Sequence, residues 1–379
     1  MTIQTQPMHR YIDHCGKLIN PLPDWASNEL LLRFYRDMVL VRHYDKKAIA
    51  LQRTGKLGTY PSHLGAEAIG IAIGHAMEPT DTFAPYYRDM PALWARGVSM
   101  EKNLQYWGGD ELGSDFPPAP NQLRNDFPPA PNQLRNDDMP FCVPIATQCS
   151  HAVGIAAAMK IKGLHRATVV TCGDGATSKG DFLESLNCAG IWNIPLVFVI
   201  NNNQWAISVP LHLQCHAEHL VDKAKGAGIE GMLVDGNDIV AMYDAMLYSL
   251  DKAKKGKGAT LIEAISYRLC DHTTADDASR YRSDDELEQA WQYDPVARLK
   301  TYLINQGLWS EEQEIEWQHE CDKYINEAVE HYLALIAQAP ESTFDHLYEH
   351  IDDDLQHQRD SLINKALRME KQSPGGEHG

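Results

Sequence analysis

The chain is short of positive charge, of long apolar runs and of paired cysteines, and each shortage excludes something. Lysine and arginine number 34 against 52 acidic residues, a formal net charge of −18. So acidic a chain is a poor match for nucleic acid or an anionic membrane surface. No apolar run approaches the roughly 20 residues that a membrane helix needs; IPLVFVI, at 194–200, is among the longest. The first ten residues, MTIQTQPMHR, hold neither the apolar core of a secretory signal nor the arginines of a transit peptide. Eight cysteines are scattered without a C-x-x-C pair. Reduced thiols and a cytoplasmic location are the expectation.

Both familiar phosphate-binding fingerprints are missing as well. In CGDGATSKGDF (172–182), Ser178 stands where G-x-G-x-x-G needs its third glycine, and Asp181 stands where a P-loop needs lysine after Gly180. What the stretch does hold is an aspartate between two glycines, directly after the apolar run ATVVT. A bare carboxylate repels phosphate. A divalent cation between the two removes the conflict.

With 44% hydrophobic residues, the chain can bury one large α/β domain with appendages, or two domains. Leu31, Tyr35, Met38, Val39 and Ala48 recur at helical spacing and predict a helix over 28–53 with Ser27 as its cap. GAEAIGIAIGHAM (65–77) reads as a second helix, with Gly65, Gly70 and Gly74 leaving room for close packing. Strands are expected at 167–172, 195–201 and 260–267, with a further apolar run in GMLVDGND; helices are expected at 181–193 and 238–254. This alternation predicts a parallel sheet flanked by helices on both faces. Ser342 and Asp345 suggest a capping-box-like start to a helix carrying Phe344, Leu347, Ile351 and Leu355. The expected organisation is an N-terminal extension (1–27), an α/β domain (28–300), a helical C-terminal region (301–370) and a disordered tail (371–379). One segment stands apart: DFPPAPNQLRN at 115–125 is repeated unchanged at 126–136. Its prolines exclude a helix or central strand and predict a duplicated surface loop over 115–136.

Asp174 ends one expected strand and Asn203 the next, 29 residues later. That is the length of a βαβ unit, so both side chains should emerge at the same sheet edge, where open α/β sheets bind ligands. A carboxylate, an amide oxygen and a nearby backbone carbonyl make a hard oxygen site suited to Mg²⁺ bridging to phosphate oxygens.

At this spacing the G-D-G…N-N pair resembles the thiamine diphosphate enzymes. Five motifs in order narrow the resemblance to the alpha subunit of the first, decarboxylating component of 2-oxo-acid dehydrogenase complexes. They are GTYPSHLGAEAIG (58–70), APYYRDMPALWARG (84–97), VPIATQCSHAVG (143–154), GDGATSKGDFLESLNCAGIWNIPLVFVINNNQWAIS (173–208) and SYRLCDHTTADDASRYR (266–282). The resemblance implies the thiamine diphosphate-binding fold, with Mg²⁺ held by Asp174, Asn203 and the carbonyl of Trp205. It places Gly173, Gly175 and Ala176 against the diphosphate, Tyr87 and Arg88 beside it, and Val143 and Ile145 near the aminopyrimidine ring. His272 would sit over the thiazolium and serve proton or acyl transfer, in a loop ordered by Arg268 and Asp276. Ala66 and Lys179 depart from the family's usual glutamine and glutamate. The glutamate that activates the aminopyrimidine has no motif here, and the family takes it from a beta subunit. The implied partners are therefore that beta subunit, in a heterotetramer of two alpha and two beta chains, and a lipoyl acyltransferase core. The implied substrate is pyruvate. Branched-chain 2-oxo acids and acetoin are the alternatives, and a non-catalytic subunit that only retains the fold is a further one.

Overall fold

The computed structural model describes residues 7–116, 137–336, 338–345 and 347–372. Most of the duplicated segment and the end of the C-terminal tail lie outside these residues. The chain divides into two compact units, Met1–Tyr332 and Leu333–Gly379.

Five parallel strands form the centre of the first unit among the described residues. They are β1 (Thr82–Ala84), β2 (Thr168–Gly173), β3 (Leu196–Asn202), β6 (Glu230–Asp235) and β7 (Thr260–Ile265), in the spatial order β1-β2-β3-β7-β6. β4 (Trp205–Ala206) and β5 (Val209–Pro210) form a separate small hairpin. Side chains alternate across a strand, and the sheet's two faces separate on that alternation. Val169, Val197, Val199 and Ile262 belong to one buried cluster, whereas Val170, Cys172, Phe198, Ile200 and Leu261 belong to the other. Apolar residues on both faces are what a sheet covered on both sides requires.

The first cluster is covered by α1 (Asn28–Arg53), α2 (Glu67–Ala76), α3 (Met90–Ala95) and α4 (Met100–Trp107). The second is covered by α5 (Thr147–Ile161), α6 (Gly180–Trp192) and α8 (Lys223–Ala227), the last following the single turn α7 (Leu211–Gln214). α9 (Ile239–Lys254), α11 (Pro295–Asn305) and α12 (Glu311–Leu333) complete the first face, and α10 (Asp284–Trp291) is a more exposed helix between them. α1 starts where its sequence predicts, with Ser27 Oγ accepting from Leu30 N. The glycines of α2 do what their spacing suggests. A Cβ on Gly70 would lie 2.7 Å from Pro91 Cβ, and one on Gly74 would lie 2.5 Å from Ala95 Cβ, so α2 and α3 approach nearly backbone to backbone.

The second unit corrects one expectation. No helix starts at Ser342: Pro340–Phe344 is a single 3₁₀ turn, and α13 runs Asp353–Gln372. Asp352 Oδ1 accepts from Leu355 N at 2.8 Å. That carboxylate, ten residues after Ser342, supplies the cap that Ser342 was expected to give.

Candidate active site

β2 and β3 run in register, with Gly173 opposite Asn201, so the chain leaves both strands at the same level. A cleft opens there, lined by Tyr87, Arg88, Ile145, Gly173, Asp174, Gly175, Ala176, Asn203, Trp205 and His272, along with Tyr86, Gln148 and Ile207. Ten of the sequence-predicted positions thus meet at one cleft. Val143 and Arg268 are not among its lining residues. Val143 is 49% exposed, between Cys142 and Pro144, which do line the cleft, and Arg268 is bonded to the Tyr281 hydroxyl and the Ile207 carbonyl.

Three consecutive asparagines show how a strand sorts its side chains. Asn201 Nδ2 donates to Tyr86 Oη at 2.8 Å, Asn202 Nδ2 donates to Glu263 Oε1 at 2.7 Å, and Asn203 lines the cleft. Alternation sends Asn201 and Asn202, the last two residues of β3, to opposite faces, and Asn203 follows where the strand has ended, its N–H donating to Asn201 O at 3.0 Å. Asn203 Oδ1 accepts from Trp205 N at 3.2 Å, which leaves an amide oxygen with a second acceptor position. Trp205 lies opposite Pro210 in the hairpin, and proline has no N–H to offer the Trp205 carbonyl. Ile207, at φ 54°, is a β-branched residue in left-handed backbone, a conformation that clusters at functional sites.

Asp174 is 1% exposed. Burial lifts its carboxyl above the ordinary value, opposed by a hydrogen bond from Gln214 and the charge of Arg268. Gln214 Nε2 donates to Asp174 Oδ2 at 2.8 Å. An uncompensated buried carboxylate is costly, and a cation beside it removes that cost. Asp174, Asn203 and the Trp205 carbonyl are all hard oxygen donors, the set that Mg²⁺ takes. Gly173 leaves the floor open: a Cβ there would meet only Tyr86 Cε2, at 3.9 Å.

The opposite wall is built from two loops. Arg88 is 4% exposed; its Nη1 donates to Ser62 O at 2.5 Å, and its Nη2 donates to His272 O at 2.6 Å and to His272 Nδ1 at 2.9 Å. An arginine only donates, so Nδ1 accepts and the His272 proton resides on Nε2. Burial first, then Arg88 and Arg268, hold the His272 pKa down from 6.5 to about 3. The imidazole is therefore neutral at physiological pH. Asp276 Oδ2 accepts from His272 N at 2.8 Å and from Tyr281 Oη. Arg268 Nη2 donates to Tyr281 Oη at 2.7 Å and to Ile207 O at 2.9 Å, so Arg268 and Asp276 brace the His272 loop from behind.

His63 lies away from the cleft lining. It is 1% exposed, with Nε2 3.1 Å from Val41 O and Nδ1 3.2 Å from Asp45 Oδ1. Asp45 also accepts from Tyr60 Oη and Ser62 Oγ, so this buried network fixes the segment whose Ser62 carbonyl holds Arg88. Lys179 pairs with Asp181 at 2.7 Å and does not line the cleft. Among the described residues no glutamate lines it either. Sequence reasoning missed Tyr86 and Gln214; Gln148, which resemblance to some relatives suggested with Thr147 as a holder of a monovalent cation, lines the cleft. Tyr86 lies inside a quoted motif, but a Tyr-Tyr pair does not reveal which ring turns inward.

The family model for the dehydrogenase E1 component matches residues 35–339. The chain belongs to that family. It is an oxidoreductase of a family that uses thiamine diphosphate. Over 351 residues it is 39% identical to the pyruvate dehydrogenase E1 component subunit alpha of Acholeplasma laidlawii, covering 91% of this chain and 96% of that protein. The protein of the same name from Staphylococcus aureus (strain Mu50) is 34% identical over 364 residues, 95% of this chain and 94% of that one. The 3-methyl-2-oxobutanoate dehydrogenase subunit alpha of Mycobacterium tuberculosis (strain CDC 1551) is 39% identical over 286 residues, 76% of this chain and 74% of that one. No helix among the described residues is long and apolar enough to cross a membrane.

Proposed function

We propose that this E1 chain is the alpha subunit of a pyruvate dehydrogenase, which decarboxylates pyruvate oxidatively and passes the acetyl group to a lipoyl group. The observation that carries this reading is one cleft with two kinds of wall. Oxygen donors at the ends of β2 and β3 face a bracketed, neutral histidine. Asp174, Asn203 and the Trp205 carbonyl would hold Mg²⁺, and Gly173, Gly175 and Ala176 would pack against the diphosphate. Thiamine diphosphate, when bound, supplies the carbanion and the electron sink.

The chain's own residues position and protonate. Arg88 keeps its charge in the cleft. With Nη2 committed to His272, what it can offer a phosphate oxygen is its Nε–H and its remaining Nη1 hydrogen. His272 keeps its proton on Nε2 and can donate a hydrogen bond to an oxygen or sulfur of the acyl acceptor. An anion bound between Arg88 and Asp174 would offset the two guanidinium charges and raise the His272 pKa. Arg268 and Asp276 hold the loop that carries it. Tyr87, whose ring centroid lies 6.1 Å from that of His272 at 81°, and Ile145 would form the apolar side, with Val143 close by in the chain. The glutamate acting on the aminopyrimidine would come from a beta subunit, in a complex of two alpha and two beta chains docked on a lipoyl acyltransferase core in the cytoplasm.

The test is decarboxylation by this chain assembled with its beta partner, comparing pyruvate with 3-methyl-2-oxobutanoate, with and without thiamine diphosphate and Mg²⁺. A cofactor-dependent rate that favours pyruvate is expected. Preference for 3-methyl-2-oxobutanoate would establish the second reading, which the M. tuberculosis relative supports. A single methylene in an apolar pocket discriminates by only ~1–3 kcal/mol, so the substrate has to be measured. No rate with either acid, despite bound cofactor, would contradict both.

A further inference from the structure

Gln214 sits on the one-turn helix α7, directly after the β4–β5 hairpin. Its side-chain nitrogen donates twice, to Asp174 Oδ2 at 2.8 Å and to Val209 O at 2.9 Å. Both partners are acceptors, so the amide cannot be turned over without setting oxygen against a carboxylate and a carbonyl. Its orientation is fixed by chemistry. The other end, Oε1, is buried and without a partner. It lies 3.8 Å from where a Cβ on Gly175 would be, beside the second glycine of the G-D-G turn.

The position explains what the amide links. Asp174 follows β2, while Trp205 and Val209 belong to the hairpin that follows β3. Leu211 N donates to Gln204 O at 2.9 Å, which seats α7 on the hairpin's base. Gln214 is thus a single side chain spanning the carboxylate of one loop and the backbone of the other.

We infer that Gln214 is a positioning residue for the cation site: it ties the Asp174 carboxylate to the Trp205–Pro210 hairpin, so that two of the three oxygen donors stand at a set spacing before a cation arrives. Its free Oε1 is placed to accept a hydrogen bond from water held by that cation. The inference rests on the cofactor reading above and adds a residue to it. Without the clip, the Asp174 side chain must be ordered by the incoming cation itself, and the cost appears in cation affinity.

The experiment is an electron paramagnetic resonance titration of Mn²⁺ into the assembled alpha–beta complex at saturating thiamine diphosphate. The parent is compared with Gln214→Leu and with Leu213→Ala, a neighbour on the same turn that is 71% exposed. Gln214→Leu should weaken Mn²⁺ binding by roughly 10- to 100-fold, the usual effect of losing a partner that orients a ligand. Turnover at saturating Mn²⁺ should change little, and the melting temperature should stay close to the parent's. Leu213→Ala should bind Mn²⁺ as the parent does. A parent that binds beside a Gln214→Leu variant that binds equally well overturns this inference alone. So does a loss of affinity that Leu213→Ala shares. A parent that binds no Mn²⁺ with the cofactor present overturns the cofactor reading, and this inference with it.

Discussion

The two walls of the cleft are built on different principles. One is an extension of the sheet: Gly173 to Ala176 and Asn203 to Trp205 stand where they do because β2 and β3 are parallel, adjacent and in register. The other has no secondary structure to place it. Arg88 and His272 are 184 residues apart in sequence, and hydrogen bonds to side-chain and main-chain atoms hold them together. The sheet wall is rigid for the reason the core is rigid, with strand residues buried on both faces. The loop wall depends on a few individual bonds, each of which a single substitution can remove.

Breaking the sheet wall should have the largest effect. Asp174→Ala should lower cofactor-dependent decarboxylation by at least about a hundredfold, since a direct ligand matters more than the groups that orient it. It should not lower the melting temperature, because the carboxyl it removes is held above its ordinary pKa by burial. Steady-state assay and thermal melting of the same preparation check both halves.

Arg88→Met breaks the loop wall and should cost roughly 10²–10³ in rate, the scale for removing one preorganised donor. It also makes a pH prediction. The unfolded chain protonates His272 below about 6.5, whereas the folded chain does not until about 3. The stability this residue contributes is therefore present above 6.5 and lost progressively as the pH falls toward 3. Removing the Arg88 charge should raise the folded pKa and narrow that window, leaving burial and Arg268 to hold it down. Melting temperature against pH over this range, for Arg88→Met with His272→Gln as reference, checks the sign. A steeper acid loss attributable to His272 in Arg88→Met would contradict it.

Tyr281→Phe is gentler. It removes one hydroxyl that donates to Asp276 and accepts from Arg268, while the His272 N–H keeps its bond to Asp276. Two net hydrogen bonds are together worth about 1–3 kcal/mol, so the rate should fall by no more than roughly a hundredfold, with Mn²⁺ affinity unchanged. The smallest effect is expected from deleting residues 126–136, one copy of the repeated segment. Cofactor affinity, measured by calorimetry, should stay within a few-fold of the parent.

The same contrast decides what the sequence made legible. Buried parallel strands announce themselves as apolar runs, and a βαβ unit has a characteristic length. Asp174 and Asn203 could therefore be placed at one sheet edge from spacing alone. The loop wall could not be found that way, because nothing local links DHTTADD to YYRDM. Arg88, His272, Arg268 and Asp276 came only through resemblance to a family. Resemblance named Arg88 as a phosphate donor and was silent on its grip on His272, which the geometry supplies. Gln214 escaped both routes: it lies 40 residues beyond Asp174 on a four-residue turn, too short for any periodicity to mark. The helix expected at Ser342 failed for another reason. A capping pattern states only that a cap is possible, and the competing Asp352 lies where the helix in fact begins.

The most direct measurement is a calorimetric titration of thiamine diphosphate into the assembled alpha–beta complex, with Mg²⁺ and with the cation removed by chelator, for the parent and for Asp174→Ala. Saturable binding that requires Mg²⁺ and disappears in Asp174→Ala is the expected result. Equal binding without the cation, or undiminished binding by Asp174→Ala, would contradict the placement of the cofactor between these two walls.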